Sequence, residues 1–240
     1  MSMIRAKILA IIFSILTICS AQYTYGDPIA ATLQVTYDGS NVRSLDYKAK
    51  VPGKTQSASA VEFKIDITAP ALGMTAYESY GYCIELTEHI SSGKYLFALN
   101  ELSDENFYKA AWVMENYAPG RPDMWTETLR IEAAAVQGLI WELTGNIHSV
   151  VTHKKDETKK AIYKEYQAIK TSLDAVNWSG EEGDALISSL GNSYMIARLE
   201  GTQDLLVKVD PVPEPATLLL FGSGMLGLAG LRVRRKAKAN

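Results

Sequence analysis

Cysteine is nearly missing from this chain: two occur in 240 residues, Cys19 and Cys83. Cys19 closes an N-terminal apolar run, so a single thiol is left for the folded part and no intrachain disulfide can form there. Histidine is as scarce, with His89, His148 and His153 only. The last two are five apart, off the i, i+4 spacing of a helical ligand pair, and there is no His-Glu-x-x-His and no cysteine pair, so no metal site is expected. Positive charge is also in short supply once the two ends are set aside: 17 basic side chains face 26 acidic ones, a net of −9. A surface of that sign repels phosphate backbones, which argues against a nucleic-acid partner. Gly222-Ser223-Gly224-Met225-Leu226-Gly227 has the Gly-x-Gly-x-x-Gly form, but it lies in an uncharged apolar tail and follows no dinucleotide-fold strand, so no cofactor is expected. Asn177-Trp178-Ser179 has the form of a glycosylation acceptor and carries little weight.

The ends read as addresses. Arg5 and Lys7 precede the apolar run Ile8 to Ile18, and Cys19-Ser20-Ala21 supplies small residues for cleavage, so residues 1–21 read as a signal peptide with Gln22 first in the mature chain. A lipoprotein reading would make Cys19 the lipidated residue, but Ile18 is bulky where such signals place a small side chain. At the other end, Ala216 to Leu231 is free of charge and is followed at once by Arg232, Arg234, Arg235, Lys236 and Lys238. As a helix it would reach about 24 Å, short of the ~30 Å hydrocarbon core by a gap that snorkelling arginines can close. The basic cluster would stay cytoplasmic. A buried C-terminal hairpin or helix is the alternative, and the abrupt basic cluster disfavours it.

The sequence Val212-Pro213-Glu214-Pro215, then the apolar span, then the arginines at the terminus, resembles the PEP-CTERM sorting signal of Gram-negative bacteria. The resemblance implies cutting by an exosortase-type membrane enzyme, membrane anchoring through the C-terminal helix before that cut, and delivery to the cell surface or an extracellular matrix. It covers residues 212–240 and is silent on activity. Residues 22–211, roughly 190 of them, are enough for one domain with a sizeable core, or two small ones.

Within that domain, periodicity predicts strands first. Leu33, Val35 and Tyr37 alternate with polar residues, as do Val61, Phe63 and Ile65 with Glu62, Lys64 and Asp66, giving one apolar and one wet face. Asp38 to Asn41 and Val51 to Lys54 mark turns, and Ala69 to Gly73 ends the second run. Helices follow: one capped by Ser103 with Phe107, Ala111, Met114 and Tyr117 on a face, stopped by Pro119-Gly120-Arg121-Pro122. A second runs from about Thr126 to near Gly145 with Leu129, Ala133, Val136, Ile140 and Leu143 inward and Gln137 at the stripe's edge. A third spans about Asp156 to Leu173, with Ile162, Tyr166, Ile169 and Leu173 inward and its lysines on a solvated face. After the turn-rich Gly180-Glu181-Glu182-Gly183, strand character returns over Tyr194 to Val209. No internal repeat is present. The order predicts an α+β fold, a β-sandwich or barrel with a helical insert, plus the C-terminal transmembrane helix.

Cys83 is the chemical question. Period two puts it opposite Tyr82, Ile84 and Leu86, odd for an inert core thiol unless the strand is covered on both faces. A lone cysteine is usually a small buried hydrophobe. A cysteine hydrolase would need a histidine base within hydrogen-bond reach, and His89 is the nearest in sequence. The third reading is an internal thioester: the thiol attacks a glutamine carboxamide, ammonia leaves, and the acyl group waits for an amine or hydroxyl. Gln137 and Gln203 are the candidate partners. Gln203 runs in step with Leu205, Val207 and Val209, and an amide leading an apolar face needs a partner or a covalent role.

Three segments in order resemble the thioester domains of bacterial surface adhesins: Tyr82-Cys83-Ile84, Gln137-Gly138-Leu139-Ile140-Trp141 and Gln203-Asp204-Leu205-Leu206. Val136 stands where that family usually has threonine, and Leu139 where it has alanine. The resemblance implies a Cys83–Gln203 bond with Gln137, Trp141 and Tyr82 in support, Gln137 remaining the alternative acyl partner. It implies an exported, non-enzymatic protein that captures amine or hydroxyl groups on a surface or matrix polymer. The alternative is a biofilm-matrix binding or structural protein with an inert Cys83, holding exopolysaccharide or another protein without a covalent bond through exposed aromatics such as Tyr77, Tyr80 and Trp125.

Overall fold

A computed structural model of the chain describes residues 27–37, 39–49, 55–86 and 88–209. The expected signal peptide (1–21), the sorting residues Val212, Pro213, Glu214, Pro215, Arg232, Arg234 and Arg235, and the expected transmembrane helix lie outside them. No helix among the described residues is long and apolar enough to cross a membrane.

The fold is α+β, built on a closed barrel of six antiparallel strands, β1 (Ile29–Thr36), β4 (Phe63–Ala69), β5 (Met74–Cys83), β9 (Leu205–Lys208), β8 (Tyr194–Arg198) and β6 (Gly93–Asn100), in that spatial order. Two insertions interrupt it. Between β1 and β4 run β2 (Arg43–Ala49) and β3 (Thr55–Ala60); between β6 and β8 run α1 (Glu105–Tyr117), α2 (Glu127–Leu143), β7 (Ile147–Val151), α3 (Glu157–Asp174) and α4 (Gly180–Ser193). The insertions meet, because β7 pairs with β2 to give a small sheet ordered β3-β2-β7. A barrel removes the sheet edges that an open sheet would leave to other chains.

Alternation along the strands makes two cores. Leu33, Val35, Ile65, Ile67, Phe97 and Val207 fill the barrel, while Tyr82, Ile84, Ile196 and Leu206 point outward under the helices. The C-terminal end of β5, together with β8 and β9, is therefore covered on both faces. Helix α2 lies at the centre of the second core and packs on α1, α3, β2, β5 and β7. Residues 133–141 of α2 are all buried, including Val136, Leu139 and Ile140, each worth about 1.5–3 kcal/mol relative to an exposed position.

Several expectations shift in detail. Asp104, not Ser103, caps α1, its carboxylate accepting from Asn106 N–H at 2.7 Å; the two residue types cap equally well, and the chain uses the later one. Gln137 is not at the edge of a stripe but fully buried, because α2 is covered all round. Glu62 is not on a wet face: it is 1% exposed. The lysines of α3 are not all solvated, since Lys159 pairs with Asp46 and Lys170 with Glu142. The Gly180 to Gly183 stretch opens a helix, α4, favoured by Glu181 and Glu182 in its first turn and by Leu190 buried against the helical core. Strands β6 and β7 have no counterpart in the sequence reading.

Candidate functional site

Cys83 ends β5, and its two edges are satisfied by different means. On one side the antiparallel register pairs Cys83 with Leu205, and Ile84 N–H donates to the Asp204 carbonyl at 3.0 Å. On the other side β4 has ended its pairing at Phe63 opposite Gly81, so the Cys83 peptide faces no strand. The Gln137 carboxamide takes that place. Its Oε1 accepts from Cys83 N–H at 3.1 Å and its Nε2 donates to the Cys83 carbonyl at 2.7 Å, as a strand residue would. The end of α2 continues the edge: Thr144 Oγ1 and Asn146 Nδ2 donate to the Ile84 carbonyl at 3.0 and 2.6 Å, and Asn146 Oδ1 accepts from Leu86 N–H at 3.2 Å.

Gln203 stands two residues before β9. The register that sets Cys83 against Leu205 and Ile84 against Asp204 sets Glu85 against Gln203, and the Gln203 Nε2 donates to the Glu85 carbonyl. Cys83 and Gln203 are thus diagonal neighbours on one face of an antiparallel pair, a relation that puts Cα atoms about 7–8 Å apart and within reach of a long side chain. Both are buried, Cys83 at 3% and Gln203 at 7% exposure. Both line one cavity of about 420 Å³ at the barrel mouth, together with Trp141 of α2, Phe63, Tyr47 and His89. Trp141 is itself buried, and its indole Nε1 has no hydrogen-bond partner among the described residues.

Burial, and then the Glu85 carboxylate, push the Cys83 thiol well above its ordinary value, so the sulfur is held as neutral thiol. That differs from the electropositive, part-exposed setting in which catalytic cysteines ionise. His89 borders the cavity from an exposed loop and makes no hydrogen bond with Cys83 among the described residues. The Asp204 carboxyl, beside Gln203, is pushed up to about 6 by burial and by Glu85, against the pull of Arg198 at 3.5 Å.

Tyr82 points the other way, into the helical core, and its hydroxyl donates to Glu62 at 2.8 Å. Glu62 also accepts from Arg121 N–H at 2.8 Å and Gly120 N–H at 3.2 Å, tying the loop after α1 to the strand carrying Cys83. Burial raises the Glu62 carboxyl, with those donors opposing. Sequence reading missed Glu62, Thr144 and Asn146; a glutamate amid apolar neighbours was the one available hint. His148 is exposed on β7, and among the described residues no group of three or more His, Cys, Asp or Glu is placed to hold a metal ion. The aromatics suggested as an exposed binding surface are not exposed: Trp125 is buried, and Tyr77 and Tyr80 are half-buried against the cores.

Comparison with known families bears on both ends of this description. The thioester-domain family model matches residues 80–174, a span that holds Cys83, Gln137 and Trp141 and stops before Gln203. The PEP-CTERM protein-sorting motif matches residues 211–236, which marks the chain as exported and processed at the membrane. No curated protein and no solved structure matches the chain. The chain is a PEP-CTERM sorting-motif protein that carries a thioester domain.

Proposed function

We propose that Cys83 and Gln203 form an internal thioester, and that the exported domain uses it once, without turnover, to bond covalently to amine or hydroxyl groups on a surface or matrix polymer. The observation that carries this reading is the diagonal placement of two buried side chains, Cys83 and Gln203, on one strand pair and against one cavity. Gln137 is the less suited acyl donor, because both polar ends of its carboxamide are engaged by the Cys83 peptide. Its part is to fix the strand.

In the forming step the Cys83 Sγ attacks Gln203 Cδ, an S–C bond replaces the C–N bond, and the thiol proton leaves with the amide nitrogen as ammonia. Asp204, part-protonated near pH 6 and next in the chain, relays that proton: its carboxyl gives one to the departing nitrogen and the carboxylate takes up the thiol's in its place. In the capture step a target amine attacks the same carbon, the C–S bond breaks, and the amine's proton returns to sulfur, leaving a free Cys83 thiol and a γ-glutamyl amide. Trp141, on the cavity wall, carries a buried Nε1–H with no partner among the described residues, and in this reading it donates to the carbonyl oxygen as negative charge develops there. Phe63, Trp141 and the barrel side chains keep bulk water from the bond until then.

Intact mass tests this. The wild-type domain is expected lighter than its sequence by one ammonia, to take up one methylamine, and to lose both properties with Cys83→Ala or Gln203→Ala. An unshifted mass with an alkylatable Cys83 would leave a matrix protein with an inert thiol. Retention of the shift in Gln203→Ala, with loss in Gln137→Ala, would move the bond to Gln137.

A further inference from the structure

In a domain whose acidic side chains outnumber its basic ones, four lysines converge on a second hollow, a groove of about 660 Å³ beside the small sheet. Lys48 comes from β2, Lys154 and Lys155 from the connection between β7 and α3, and Lys159 from the first turn of α3. Lys159 is neutralised: it holds Asp46 at 2.7 Å, with the two side chains 17% and 7% exposed. Burial resists ionisation of Asp46, but Lys159 and the Ser57 hydroxyl outweigh it and hold the carboxyl below its ordinary value. That pair makes a neutral floor.

Lys48, Lys154 and Lys155 are exposed on the walls and make no ion pair among the described residues. Three like charges gathered around one concavity repel each other, a cost that an anion lying between them removes. Thr55 and Thr152 add hydroxyls to the same lining.

We infer that this groove binds a carboxylated polysaccharide, the lysines taking its carboxylates and the threonines its hydroxyls. Among the described residues no aromatic side chain lines the groove apart from the His153 ring, so there is no platform for stacked bases. Among the described residues Val151 is its one aliphatic lining residue, too little to hold a lipid surface. Ser57 lines both this groove and the cavity of Cys83, so the two hollows adjoin. The site goes beyond the covalent reading and does not depend on it.

The test therefore uses the full-length chain carrying Cys83→Ala, with immobilised polygalacturonate as probe and dextran as the neutral comparison. Polygalacturonate is expected to bind, with affinity falling as salt rises, and dextran not to bind. Lys154→Glu and Lys155→Glu should each weaken binding about tenfold, whereas Lys164→Glu, the same charge change on the exposed face of α3, should change it less than about twofold. Lys48→Gln, which removes one charge without reversing it, should weaken binding with an unchanged melting temperature. Equal binding of dextran, an equal effect of Lys164→Glu, or tighter binding of a single-stranded oligonucleotide or anionic vesicles would each overturn the inference.

Discussion

The Gln137 carboxamide bonds both polar atoms of the Cys83 peptide, at 3.1 Å from N–H and 2.7 Å to the carbonyl, across 54 residues of sequence. A helix side chain thereby stands in for a missing strand. The arrangement fixes the backbone from which the sulfur projects while leaving the sulfur itself on the barrel side, toward Leu205 and Gln203.

Removing that clamp has a defined cost. Gln137→Ala leaves a buried N–H and a buried C=O unpaired, each worth about 1–3 kcal/mol, so urea unfolding should show a loss of about 2–5 kcal/mol. Gln137→Glu tests the geometry more finely. An ionised carboxylate can accept from Cys83 N–H but faces the Cys83 carbonyl with no donor; a protonated one restores both bonds. Its carboxyl is then raised in the folded state, so the variant should approach wild-type stability below the unfolded value near 4 and lose ground as pH rises above it. A deficit that does not depend on pH would sink this account.

How much of this was legible in the residues follows from what each signal measures. Alternation and 3.6-residue spacing report burial on one face, and they placed the inward residues of α3, Ile162, Tyr166, Ile169 and Leu173, as the structure has them. They fail where an element is covered all round, which is why Gln137 looked peripheral and Glu62 looked wet. The Cys83, Gln137 and Gln203 segments stood out by residue type and order. Their relation did not, because register is set by long-range pairing: nothing in Tyr82 to Glu85 says that Leu205 lies opposite Cys83. Thr144 and Asn146, which bind the Ile84 and Leu86 backbone, sit where a helix ends and read only as a cap.

Two glycines near the site should respond differently to alanine. A Cβ on Gly81 would lie 2.8 Å from the Leu206 carbonyl oxygen, a backbone atom of the strand that must stay paired, as well as 2.7 Å from Ile65 Cδ1. A Cβ on Gly138 would lie 2.6 Å from Val150 Cγ2 and 3.3 Å from Leu45 Cδ2, both side-chain ends. Gly81→Ala should therefore part β5 from β9 and cost several kcal/mol, about 3 or more, together with the mass shift. Gly138→Ala should cost less, about 1–2 kcal/mol, and retain it. Thermal melts alongside intact mass check the order, and a larger loss at Gly138 would contradict it.

Trp141→Phe separates the donor from the bulk. Phenylalanine keeps much of the apolar surface and removes an N–H that has no partner among the described residues, so stability should change by no more than about 1.5 kcal/mol. If that N–H stabilises the oxygen of the thioester carbon, methylamine uptake should slow by about a hundredfold under the same conditions. Unchanged uptake would make Trp141 a wall and nothing more.

Asp204 gives the site a pH dependence of known sign. Its carboxyl is raised to about 6 when folded, by burial and by Glu85, from an unfolded value near 3.8. The folded state thus holds the proton more tightly, and the stability this contributes is complete below about pH 4 and lost as pH rises through 6. Glu62, also raised, acts in the same direction, so Asp204→Asn should flatten the decline between pH 4 and 7 without abolishing it. Thioester formation follows the same proton if Asp204 supplies it to the departing ammonia. The refolded wild-type chain should then gain its mass shift faster at pH 5 than at pH 8, and Asp204→Asn should be slow at both. A variant that keeps the wild-type rate and its pH profile would remove Asp204 from the forming step, and leave its raised carboxyl as a consequence of the packing around Gln203 alone.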